Sequence, residues 1–299
     1  MLKRKLELNV SLLMGIFAAG IILILPLRVY QYLKIIEHGT GFFEKTDFSV
    51  PLLYALLAVF GGAMLLLPFL KKFRIVFSTT PKKHLVLGLL SLVVAVTLVI
   101  DAVLMSKNFS TLYYGIQQGS GSTFAGDTAT SGMMKSGAMP MLFEAIFGVL
   151  SALFFTVVGA GFLTGKSNGS EYKLLAITPL AWSICRILHR FMRTISFVRV
   201  SDLFFELLMI VFLMIFFMAF AQLIARVNHK GADWKLVGFG LPAALLCLLC
   251  FVPRVAMLIM GKGSLLATQS PPEYCDFAIA LFILAFILSK MRFLKREEN

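Results

Sequence analysis

Apolar residues in this chain fall into blocks separated by short polar stretches, and the block length is the first informative quantity. Seven blocks, 9–30, 49–70, 84–105, 139–163, 203–225, 236–260 and 275–294, are each apolar almost throughout. About 20 such residues in a helix cross the roughly 30 Å hydrocarbon layer of a bilayer. An eighth block, 173–194, has the same length but carries Arg186, His189, Arg190 and Arg193. Backbone inside a bilayer has no water to bond, so regular structure there is helical. The pattern predicts an all-α, polytopic membrane helix bundle with eight transmembrane helices, residues 1–299 forming a single integral membrane domain. Residues 106–138, rich in Gly, Ser and Thr, read as an extracytoplasmic loop.

Charge sets the orientation. With eight spans and both termini cytoplasmic, seventeen of the 28 Lys and Arg residues fall on the inner side and eleven on the outer. This follows the positive-inside rule. If 173–194 lay flat on the inner face instead, the division would be sixteen to twelve and the basic end 290–296 would lie outside. Eight spans is the better solution. The first block follows Lys3, Arg4 and Lys5 but runs on to Leu27 without a small-residue cleavage pattern, so it reads as an uncleaved span.

Composition agrees with a lipid-facing surface and narrows the function classes. Hydrophobic residues make up 59% and charged residues only 14%, against roughly a quarter charged in soluble domains. The net charge of +13 is spread over short loops, with no continuous basic face to follow a phosphate backbone. It points to anionic lipid head groups at the cell membrane, and not to nucleic acid. Cys247 and Cys250 form a CxxC, yet it sits in the apolar run Leu246–Phe251, where thiols behave as small hydrophobes. Gly61, Gly62, Gly159 and Gly161 are expected to allow close helix approach. Tyr30 and Tyr32, with Phe42 and Phe43, suit an interfacial aromatic belt, and Pro271-Pro272-Glu273-Tyr274 reads as an anchor before the last span.

The chemistry lies in ionisable residues within the spans, which are costly there and face the protein interior. Asp101, Glu144, Glu206, Arg186, Arg190, Arg193 and Arg254 all fall in the outer half of the bilayer on the eight-span arrangement. Arg186, Arg190 and Arg193 are spaced i, i+4, i+7 and share a helix face, with Trp182 and His189 beside it. Asp202 and Glu206, i and i+4 on the next helix, set an acidic stripe across a short turn.

Two readings follow. In one, Arg186, Arg190, Arg193 and Arg254, with Asp101, Glu144, Glu206 and His189, line an outward-facing basic pocket. A small carrier or binding protein would there take an anionic or amphipathic small molecule, or a lipid head group. In the other, the charges only pair and hold helices together, and the chain is a scaffold, accessory or sensor subunit with a membrane-protein partner. A third class, an intramembrane transferase using His189, has little behind it. No HExxH and no P-loop surrounds the Gly165-Lys166-Ser167 triplet, and no cofactor or metal is implied.

Overall fold

A computed structural model describes residues 2–36, 43, 47–70, 83–119, 138–165, 173–192, 200–225, 232–263, 266 and 272–296. These residues form eight α-helices: α1 Leu2–Lys34, α2 Ser49–Leu70, α3 Leu85–Gly119, α4 Ala138–Thr164, α5 Thr178–Met192, α6 Val200–Ile224, α7 Ala232–Ile259 and α8 Tyr274–Arg296. The chain is an all-α membrane helix bundle, as its hydrophobic pattern predicts. Six helices, α1, α2, α3, α4, α6 and α7, are long and apolar enough to cross a membrane. The apolar part of α8, Tyr274–Ser289, is shorter.

The bundle is organised around α7. Of its most apolar stretch, 89% is buried inside the protein, against 11% for α2. It packs against α1, α2, α6 and α8, while α3 and α4 form a close pair that leans on α8 and α5. Lipid supplies no hydrophobic drive between helices, so contact quality holds them together. Between α4, α6 and α8, Phe155 meets Phe282 at 5.4 Å edge-to-face, and Phe220 meets Phe282 at 5.7 Å and Phe286 at 5.3 Å in the same manner. These are the offsets that the ring quadrupole favours.

Glycine decides one contact. At Gly88 of α3 an added Cβ would lie 2.6 Å from Leu163 and 3.1 Å from the carbonyl oxygen of Gly159 on α4. The Ser91 hydroxyl then donates to the Phe155 carbonyl across the same pair at 2.6 Å. Gly61 and Gly62 do not act this way, since a Cβ at either meets nothing within 4 Å.

Two further expectations need correction. Residues 106–119, read as loop, continue α3. Ser110 and Thr111 bond back to the carbonyls of Ser106 and Lys107, and Phe109 stacks on Tyr113 one turn later, so local contacts carry the helix past its apolar part. Residues 120–137 lie outside the described residues. Tyr32 belongs to no aromatic belt; it is buried, with its hydroxyl engaged inside the protein.

The eighth block carries Arg186, His189 and Arg190 on one helix. This helix, α5, has 15 residues after a 3-10 turn at Leu175–Ile177. These described residues extend about 22 Å, and residues 193–199 that follow lie outside the described residues. The amphipathicity of α5 is inverted relative to a helix resting on a surface. Trp182, Ser183, Arg186 and His189 face the protein, and Ile184, Leu188 and Phe191 face outward. The polar side is therefore turned against neighbouring helices.

Candidate functional site: a chain of alternating charges across five helices

Arg28 lies six residues before the end of α1, on the stripe Arg28, Gln31, Tyr32 that i, i+3, i+4 spacing sets on one face. Its guanidinium donates to Gln31 Oε1 at 2.9 Å and to Asp202 Oδ1 at 2.5 Å. The Tyr32 hydroxyl donates to the other oxygen of Asp202 at 2.6 Å. The rings of Tyr32 and Phe205 each lie 5.0 Å from the Arg28 guanidinium carbon, covering it with π-faces.

The chain of charges runs on from Asp202. Arg254 of α7 stands 3.8 Å from Asp202 Oδ2 and donates to Glu206 Oε1 at 2.5 Å. The second oxygen of Glu206 is 3.5 Å from Arg190 Nε. Arg190 then donates to Glu273, in the connection before α8, and the other Glu273 oxygen accepts from Arg186. Arg186 ends the series with a two-pronged bond to Asp276, at 2.6 and 2.9 Å, and lies 5.1 Å over the Trp182 ring.

Four arginines and four carboxylates thus alternate from α1 through α6, α7 and α5 to α8. All four guanidiniums are at most 9% exposed. A buried charge without a partner costs several kcal/mol, which explains why the signs alternate without a gap. Among the described residues the four arginines hold no surplus positive charge, because Glu273, read from sequence as part of an anchor, and Asp276 supply two further negative charges.

Beside this chain sits a second group. Glu144 Oε2 of α4 and His189 Nδ1 of α5 are 2.5 Å apart, and both residues are buried. Asp101 of α3 interacts electrostatically with Glu144, Arg186, Arg190 and Asp276. Three ring or guanidinium nitrogens of α5 are buried without a hydrogen-bond partner among the described residues: Trp182 Nε1, His189 Nε2 and Arg190 Nε. Trp182 Nε1 lies against Gly148 of α4, one turn from Glu144, where a Cβ would be 3.7 Å away.

Of the eight residues singled out from sequence, the structure gathers Arg186, Arg190, Arg254, Glu206, Glu144, His189 and Asp101 at one end of the bundle. Arg193 lies outside the described residues. The acidic stripe of α6 does not simply face the basic stripe of α5. Asp202 turns to Arg28 and Glu206 bonds most closely to Arg254, leaving Arg186 to α8. Sequence reasoning missed Arg28, Gln31, Glu273 and Asp276.

The ligand atoms of Glu273, Cys275 and Asp276 lie within 4.8 Å of one another, a spacing compatible with a metal ion. Both carboxylates already face Arg186, whose charge opposes a cation there. Cys247 and Cys250 are buried free thiols of α7 and take no part in the polar group.

The chain matches no protein-family model, no curated protein sequence and no solved structure.

Proposed function

We propose that this membrane protein is a small carrier or binding protein for an anionic, amphipathic molecule, taken up by Arg186 and Arg190 from the outer side of the membrane. The observation that carries the reading is the bridge at Glu273. Two guanidiniums one helical turn apart on α5 share a single carboxylate, and that carboxylate is the only one of the four outside a helix. A planar pair of donors facing one carboxylate is the arrangement by which arginines recognise carboxylates and phosphates.

Charge arithmetic favours an exchange at this point. With Glu273 swung out, four arginines face three carboxylates, which leaves room for one negative charge. Arg186 keeps its two bonds to Asp276 in that state, so the site remains formed. The apolar outer face of α5, with Ile184, Leu188 and Phe191, offers the tail of an amphipathic ligand a route along the helix.

The rival reading, a scaffold or accessory subunit, draws on the saturation of the same network. Hexanoate and hexyl phosphate separate the two. Binding is read from Trp182 emission in a W234F background, where Trp182 is the only tryptophan. Wild type should bind one of the probes, E273Q should bind it about tenfold or more tightly once the internal competitor is neutral, and R190Q should lose it. A tenfold change corresponds to about 1.4 kcal/mol. If neither wild type nor E273Q responds to millimolar probe, in emission or in thermal stability, the charges only hold helices together and the scaffold reading stands.

A further inference from the structure

We infer that Glu144 and His189, with Asp101 beside them, form a proton-binding site inside the bundle. An ionised Glu144 accepts, so His189 Nδ1 must donate across the 2.5 Å contact. The lone pair of the neutral ring is then at Nε2, which is buried and has no partner among the described residues. An incoming proton binds that lone pair, and the imidazolium formed pairs with Glu144. No bond other than the new N–H forms or breaks.

The surrounding charges call for it. Among the described residues, four arginines of the alternating chain offset four carboxylates, and Asp101 and Glu144 stand outside that balance. Isolated charge inside a membrane is costly, and one proton on His189 offsets one of these two. The groups that face the pair come from every neighbouring element. They are Asp101 on α3, Cys185 and Arg186 on α5 and Cys275 on α8, with Arg190 and Asp276 around Asp101 and Glu206 on α6 beyond Arg190. Glu273 reaches the same region from the connection before α8.

A proton held here sits next to the Arg186–Asp276 pair. On the anion-binding reading, and resting on it, the proton is positioned to accompany the anion and cancel its charge. The proton site itself needs no ligand, so it is tested without one.

The experiment is a pH titration of the whole protein, ligand-free in nanodiscs, with ¹⁵N-labelled histidine. The four histidines are His38, His84, His189 and His229, and the His189 signals are assigned by their loss in H189Q. The expected result is a one-proton transition of His189 in wild type that E144Q, which removes the paired carboxylate, displaces. A His189 signal that stays constant across the range overturns the proposal, as does a midpoint that E144Q leaves in place. The wild-type titration decides the first point even if a variant fails to fold. Loss of anion binding with the titration intact would remove the carrier reading and leave the proton site standing.

Discussion

Arg28 and Asp202 meet at 2.5 Å across 174 residues of chain, and their pairing ties the first helix to the sixth. Asp202 serves three groups at once, since Tyr32 donates to it and Arg254 stands 3.8 Å away. Removing one partner of a buried pair costs more than removing both, because the survivor is left uncompensated. R28Q should therefore lower unfolding stability in detergent by about 3–5 kcal/mol, and R28Q/D202N should recover part of that loss. Y32F removes one charge-assisted hydrogen bond and should cost about 1.5–3 kcal/mol. A double variant as unstable as the sum of the two single ones would mean that the pair does not act as a unit.

Arg186 and Arg190 share Glu273, yet they are not equivalent. Arg186 has the two-pronged bond to Asp276 and the Trp182 ring beneath it, whereas Arg190 holds Glu206 only at 3.5 Å. R186Q is expected to destabilise the protein by about 3–5 kcal/mol and R190Q by clearly less. R186K should not restore wild-type stability, since an ammonium cannot reproduce the planar fork. Thermal unfolding in one detergent checks the order, and an R190Q variant as unstable as R186Q would contradict it.

The bundle was legible in the sequence because the bilayer forces it: apolar runs of span length have few other uses. The end of α3 was not legible, since Ser106, Lys107 and Asn108 break the apolar run while the helix continues through local side-chain contacts. The inward-facing charges of α4 and α5 were legible for the same physical reason as the spans, because charge within an apolar run must find an interior. Arg28 escaped notice because an arginine at a span end looks the same whether it reaches outward to head groups or inward to Asp202. Glu273 and Asp276 were hidden differently. They lie 87 and 90 residues from Arg186, beyond any local spacing rule, and an acidic residue at a helix start is ordinary.

Gly88 and Gly159 allow α3 and α4 to approach at backbone distance. A Cβ at Gly159 would lie 3.1 Å from the Gly88 carbonyl oxygen and 3.3 Å from Leu92, with backbone on one side unable to yield. G88L and G159L should each cost about 1–3 kcal/mol by overpacking. Gly61 and Gly62 provide the control: G61L and G62L meet open space and should stay within about 0.5 kcal/mol of wild type. Melting temperatures in matched detergent make the comparison, and equal losses at all four positions would remove the distinction.

The path of helix α5 relative to the bilayer fixes what can reach Arg186. Ile177, just before it, and Ile184, Leu188 and Phe191 within it are all exposed at the protein surface. From residue 177 to residue 191 the chain advances about 21 Å if the helix runs along the membrane normal. Spin labels at these four positions, in nanodiscs, report depth through the ratio of accessibility to oxygen and to a water-soluble nickel complex. A helix that enters the bilayer should give a ratio that changes steadily along the four sites and is lowest near one end. A helix lying flat should give one constant depth at all of them. The inverted amphipathicity argues for entry: Arg186 and His189 Nδ1 are paired with protein groups, so the opposite face is free to meet lipid. A constant depth would put Arg186 and Arg190 at the membrane surface, reachable from water without crossing any apolar layer.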